Sequence, residues 1–158
     1  MTAIGLVAGS EKLRRDIMSE LRVTELDILG WQSLLDRNPE IFFGMEPGSK
    51  VGLLTKDDFE PPTAMMLVWE STPEGMRAYY CAFPGFESVD IDLLFIGDDS
   101  IIRRIHDANT PAPFADMKTQ VRRRDMLLYI VKPRAQLLER GYEDFLDSLG
   151  LAFMGACR

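Results

Sequence analysis

Three groups of side chains in this sequence could do chemistry. The first is Asp98-Asp99 with the only histidine, His106, a little further along the same stretch, DIDLLFIGDDSIIRRIHDA. An imidazole titrates near neutrality, so His106 is a candidate general base that Asp107, Asp99 or Tyr79 could orient in the fold. Its structural alternative is the edge of a buried helical face, one turn after Ile102, where the negative end of the helix favours a protonated ring. Two adjacent carboxylates at a strand end could hold a divalent cation. Equally, Asp98 or Asp99 can accept hydrogen bonds from the unpaired amides of a helix start, and capping is the expected role.

The second group is Gly9-Ser10, in IGLVAGSEKLRRD, which runs apolar strand, glycine, serine and helix with paired arginines, as LLFIGDDSIIRRIHD does. A helix start can bind an anion through free amides and the local dipole, which makes Gly9 and Ser10 a phosphate candidate. Asp98 and Asp99 would repel an anion at the second unit. Neither GxGxxG nor GxxxxGK[ST] is present, and such turns use Gly and Ser for steric and capping reasons alone.

The third group is the run Arg122-Arg123-Arg124, within a segment from Lys118 to Arg140 that holds seven bases against two acids. On a strand, Arg122 and Arg124 would share one face and Arg123 would take the other. They could hold a phosphorylated ligand or an acidic partner, or pair with the chain's own acidic stretch from Glu87 to Asp99. The last is the leading expectation. Cys81 and Cys157 have no CxxC spacing and no histidine cluster, so both are expected to be free thiols, and no metal site is expected.

The 158 residues suit a single globular domain over 1–158, with 46% apolar and 27% charged residues. A net charge of −7 argues against general nucleic-acid or acidic-membrane binding, because phosphate affinity comes mainly from cations. The apolar run near the N-terminus is too short for a signal-peptide core or a membrane span, so a cytoplasmic location is expected.

The elements that must position these residues follow from periodicity. Ala3 to Ala8 reads as a strand, and Leu13, Ile17 and Leu21 as the stripe of a helix. Leu26, Leu29, Trp31, Leu34 and Leu35 form a second helical face, interrupted by Gly30 and ended before Asn38-Pro39. Val51 to Thr55, Ala64 to Glu70 and Met76 to Phe83 read as strands, the last two joined as a hairpin by a five-residue loop, Ser71 to Gly75. Lys56 to Pro62 is a wet loop carrying Asp57, Asp58 and Glu60. Leu93 to Ile96 is a buried strand before a helix faced by Ile101, Ile102 and Ile105. Pro111 to Pro113 reads as a loop and Met126 to Val131 as a buried strand. One helix then runs from Pro133 to Gly150 with Leu137, Leu138, Tyr142, Phe145, Leu146 and Leu149 inward, and Leu151 to Ala156 is a final strand. Met65, Met66, Trp69 and Met76 are read as sheet packing before any apolar groove.

This order predicts an α+β, layered α/β domain: a central mostly antiparallel or mixed sheet of about five to seven strands with helices packed on it. Asp98-Asp99 with Lys132-Pro133 has the look of a receiver domain's acidic pair and lysine-proline. The interval is too short for that family, since each βαβ unit alone needs ~30 residues. The element order resembles the acetyltransferase superfamily, which implies acyl-CoA as substrate. That family's pyrophosphate loop, [QR]xxGx[GA], is replaced here by Phe95-Ile96-Gly97-Asp98-Asp99-Ser100. The order also resembles secretion chaperones, which implies a dimer.

The expected function is a small acidic binding or regulatory protein, an adaptor, chaperone or ligand sensor, with an acyl-CoA-dependent acyltransferase as the alternative. No cofactor is identified. The expected partner is a protein or small ligand, not nucleic acid or membrane, and the apolar faces could supply a homodimer interface.

Overall fold

The computed structural model describes residues 26–56 and 65–151. Gly9 and Ser10, the strand expected over 3–8, the helix over 11–21, Asp57, Asp58 and Glu60, Cys157, and the strand expected after Leu151 lie outside the described residues.

Among the described residues the chain forms α1 (Ile28–Arg37), a 3-10 turn (Pro39–Phe42), β1 (Lys50–Thr55), β2 (Met65–Thr72), β3 (Gly75–Ala82) and β4 (Leu93–Gly97). Then follow α2 (Asp99–His106), α3 (Pro113–Arg122), β5 (Met126–Ile130), α4 (Arg134–Glu139) and α5 (Tyr142–Ser148). The strands make one mixed sheet in the order β3-β2-β1-β4-β5. β1 and β4 are parallel, with Val51 opposite Leu93, and the other neighbours are antiparallel. Among the described residues this is an α+β fold with five helices.

Alternation along the strands sends side chains to two unlike faces. Val51, Leu53, Leu67, Trp69, Leu93, Phe95 and Met126 point to the face where all five helices pack. Trp69 lies at its centre, within 6.2 Å of Trp31, 5.9 Å of Phe42 and 5.8 Å of Phe114 between ring centroids. Its buried Nε1 has no hydrogen-bond partner.

Leu54, Met66, Val68, Leu94 and Ile96 point to the second face, where Phe83, Val89 and Ile91 cover them and no described helix contributes. Gly52 lets this segment approach: a Cβ there would lie 2.8 Å from Cδ1 of Ile91 and 2.7 Å from Sδ of Met66.

Four local expectations are corrected. The β2–β3 hairpin turns on two residues, Pro73-Glu74, because Thr72 pairs with Gly75 and its hydroxyl accepts from the Glu74 amide. Pro113 opens a helix rather than ending a loop, its missing N–H being no loss at the first turn. The helix expected from Pro133 to Gly150 is two, broken at Gly141, which adopts φ +77°. The backbone of Gly44 crosses there so closely that a Cβ on Gly141 would lie 1.7 Å from the Gly44 carbonyl oxygen. Arg122 to Arg124 form a helix end, not a strand.

Candidate functional site

The most polar buried site was not anticipated from the sequence. Asp92, fully buried just before β4, meets Nη1 of Arg140 at 2.7 Å and 2.9 Å through its two carboxylate oxygens. The Tyr142 hydroxyl donates to it at 2.7 Å and the Lys50 amide at 2.9 Å. Its backbone is used as fully, donating to the Lys50 carbonyl and accepting from the Val131 amide. The break at Gly141 delivers Arg140 and Tyr142, and the Arg140 carbonyl takes the Glu46 amide at 2.8 Å. Burial, followed by the bond to Asp92 and its negative charge, pushes the Tyr142 hydroxyl far above the ordinary tyrosine range. Every member is satisfied within the fold, and the cluster clamps the ends of β1, β4 and β5. It resembles a latch rather than a reactive centre.

His106 is likewise committed to the fold. Its Nε2 lies 2.9 Å from the carbonyl oxygen of Asp27, so that nitrogen carries the proton and donates. The ring meets Trp31 edge-on with centroids 4.8 Å apart. Trp31 Nε1 donates to the Tyr80 hydroxyl at 2.9 Å, which donates to the Leu26 carbonyl at 2.8 Å. Burial is the main cause that pushes the Tyr80 hydroxyl up to about 12. The three groups expected to orient the ring are engaged elsewhere: Asp107 caps the loop through the Asn109 amide, Asp99 pairs with Arg103, and Tyr79 donates to Glu70.

Asp98 holds the N-cap position of α2 by its backbone, but its side chain makes no capping bond and lies 3.7 Å from Lys56 Nζ. Asp99 is the first residue of α2 and pairs with Arg103 one turn on. A side-chain cap was expected from one of them; nearby cations take both instead. Among the described residues, no group of three or more His, Cys, Asp or Glu side chains could hold a metal ion.

The arginine run does not face the acidic stretch from Glu87 to Asp99. Arg123 pairs with its neighbour Asp125 at 3.5 Å, and Arg122 and Arg124 are exposed without an ion pair among the described residues. In that stretch Asp90 pairs with Lys50 and Lys132, Asp92 with Arg140, Asp98 with Lys56 and Asp99 with Arg103, so Lys132 and Arg140 of the basic segment do meet it although the three adjacent arginines do not. Lys50, the largest influence, holds the Asp90 carboxyl below its ordinary value.

What the structure does bring together is apolar. On the second sheet face, beside β5, the last strand of the described sheet, Phe86, Ile96, Leu127 and Tyr129 line an open-sided groove of about 560 Å³, and Lys56, its side chain 36% exposed, completes the described lining. Ile96 is buried, whereas Phe86, Leu127 and Tyr129 are 43%, 40% and 42% exposed. Phe86 bridges the groove to the second core, its ring 5.3 Å from both Phe83 and Tyr129. Leu127 and Tyr129 alternate along β5 onto this face, opposite Ile96 and Leu94 of β4. Neither the sheet's end at β5 nor the fold-back of residues 83–91 follows from local periodicity. Half-buried Cys81 lies on the same face toward the other edge, its thiol pushed up by burial.

No protein-family model matches this chain, and neither does any curated protein. Among solved structures, it is similar to one described as UbiJ-SCP2 ubiquinone synthesis protein, at 13% identity and TM-score 0.43, covering 79% of this chain and 94% of that one. It is also similar to the solution structure of a conserved hypothetical protein from Thermus thermophilus, described as a sterol carrier protein candidate. There the identity is 11%, the TM-score 0.41 and the coverage 77% of this chain and 79% of that one. No described helix is long and apolar enough to cross a membrane.

Proposed function

We propose that this protein binds a small apolar molecule in the groove between β5 and the segment over residues 83–91. The observation that carries this reading is the convergence of three partly exposed large apolar side chains, Phe86, Leu127 and Tyr129, on one concavity floored by Ile96. Exposed apolar residues scattered singly need no explanation, but a concave cluster with one polar group at its rim has the make-up of a small-molecule site. The volume falls within the roughly 300–1,000 Å³ usual for such sites. Each ligand methylene buried there would contribute about 0.8 kcal/mol.

A binding role fits the titratable groups better than catalysis does. His106 Nε2 and Asp92 are held by structural partners, as described above. At the start of α2 two carboxylates stand where an acyl-CoA pyrophosphate would need donors, so the acyltransferase alternative has no geometric support.

The test is Nile red, a neutral apolar dye whose fluorescence rises on leaving water. Wild type is expected to enhance its emission saturably, and Leu127→Asp to abolish this while keeping its cooperative unfolding transition, since Leu127 is already 40% exposed. Dye binding that is unchanged in a folded Leu127→Asp variant would remove the groove reading.

A further inference from the structure

We infer that the groove selects apolar molecules bearing a single anionic group, a carboxylate or sulfonate, which Lys56 receives. This rests on the groove being a ligand site, and deepens that reading by naming the ligand class.

The first support is the composition of the lining. Of the five described residues around the groove, four are apolar and the fifth is a lysine. Such a site desolvates a hydrocarbon body and offers one fixed charge at the end where the body stops. A neutral ligand would gain nothing from that ammonium, which would keep its long pair with Asp98, whereas a ligand anion could take it up.

The second support is how lightly Lys56 is held. Its Nζ is 3.7 Å from Asp98 Oδ1, beyond hydrogen-bond reach, and the two side chains are 36% and 53% exposed. Other cations are engaged more closely: Arg104 donates twice to Asp116, at 2.8 Å and 2.6 Å, and Lys50 hydrogen-bonds Asp90. An exposed ion pair of this length contributes little, so an incoming anion displaces Asp98 at small cost. The base of Lys56 is nonetheless fixed, because its amide donates to the Gly97 carbonyl at 2.9 Å where β1 and β4 end together. Its methylene stem can therefore lie against the apolar wall while the ammonium remains at the rim.

The third support limits the charge. One ammonium neutralises one negative charge, and the chain carries a net −7, so a dianionic head such as a phosphate monoester would meet an unfavourable field.

The experiment compares dodecanoate with dodecanol as competitors for bound Nile red, since the two differ only at the head group. In wild type, dodecanoate should displace the dye at about five-fold lower concentration or better, a preference that weakens as salt is raised. In Lys56→Met the two competitors should become equal, and Lys56→Arg should restore the preference. Asp98→Asn, which removes the internal competitor, should strengthen dodecanoate alone. Equal competition in wild type, or a preference that survives in Lys56→Met, would overturn the inference while leaving the groove as an apolar site. Loss of Nile red binding itself would instead overturn the groove reading, and this inference with it.

Discussion

His106 fills the space that a side chain at position 30 would need: a Cβ on Gly30 would lie 2.5 Å from the ring's Nε2. Gly30 lies in the first turn of α1, where alanine would ordinarily stabilise the helix by up to about 1 kcal/mol. Here the added methyl must push the imidazole off the Asp27 carbonyl and away from Trp31. Gly30→Ala is therefore expected to destabilise by about 1 kcal/mol, the worth of the hydrogen bond lost. In a His106→Ala background the same change should stabilise. A double-mutant cycle measured by urea unfolding reads the sign reversal directly, and additive effects would show that His106 does not clamp α1 to α2.

Arg140 is expected to matter more to stability than any surface arginine. Replacing it with Met leaves the buried Asp92 carboxylate with the Tyr142 hydroxyl and the Lys50 amide but no counter-charge. Removing one partner of a buried pair costs roughly 3–5 kcal/mol, and the partial exposure of Arg140 puts its value near the lower bound. Arg104→Met, which breaks an exposed pair with Asp116, should cost at most about 1 kcal/mol. Urea midpoints at constant slope distinguish the two, and similar losses would mean that the Asp92 cluster does not act as a latch.

Tyr79, Tyr80 and Tyr142 should resist ionisation. Burial is the leading cause in Tyr79, Tyr80 and Tyr142, reinforced by Glu70 at Tyr79 and by Asp92 at Tyr142. An unfolded tyrosine titrates near ~10, below the folded values, so the folded state keeps protons that the unfolded chain loses. The stability these groups contribute is complete below pH ~10 and falls as pH rises through the folded values, Tyr80 first at about 12. Ionisation of these three should thus accompany loss of near-ultraviolet dichroism, and their titration near ~10 in folded protein would contradict the packing.

Much of this architecture was legible in the sequence, because apolar runs bounded by turn residues located all five strands, and Asn38-Pro39 ended α1. The misses have two causes, a weak local signal in some places and the arrival of distant chain in others. α3 shows only Phe114, Met117 and Val121 as an apolar trace, and its buried Gln120 breaks the stripe. The helix break at Gly141 follows from the passage of Gly44, nearly a hundred residues earlier. The groove was hidden for the same reason. Leu127 and Tyr129 read as core, and only the strand order β1-β4-β5 puts them at the edge of the described sheet.

Arg124 tests whether the arginine run is a site or a turn. It is the only described non-glycine residue with positive φ, at 64°, a conformation that crowds Cβ against the backbone. Its place in the chain explains this without a ligand. The Arg124 amide donates to the Val121 carbonyl at 3.1 Å and the Asp125 amide to the Gln120 carbonyl at 3.0 Å, the paired bonds that close α3 with a left-handed residue. Glycine is the usual occupant, and its absence is why the sequence suggested a strand. Arg124→Gly is expected to keep the turn, remove the crowding and raise stability by up to about 1 kcal/mol. Arg124→Val, whose branched side chain tolerates positive φ worst, should lower stability by a similar amount. Thermal unfolding of the two variants decides the matter. If glycine destabilises as much as valine, the guanidinium itself is engaged, and the run regains its standing as a candidate anion site.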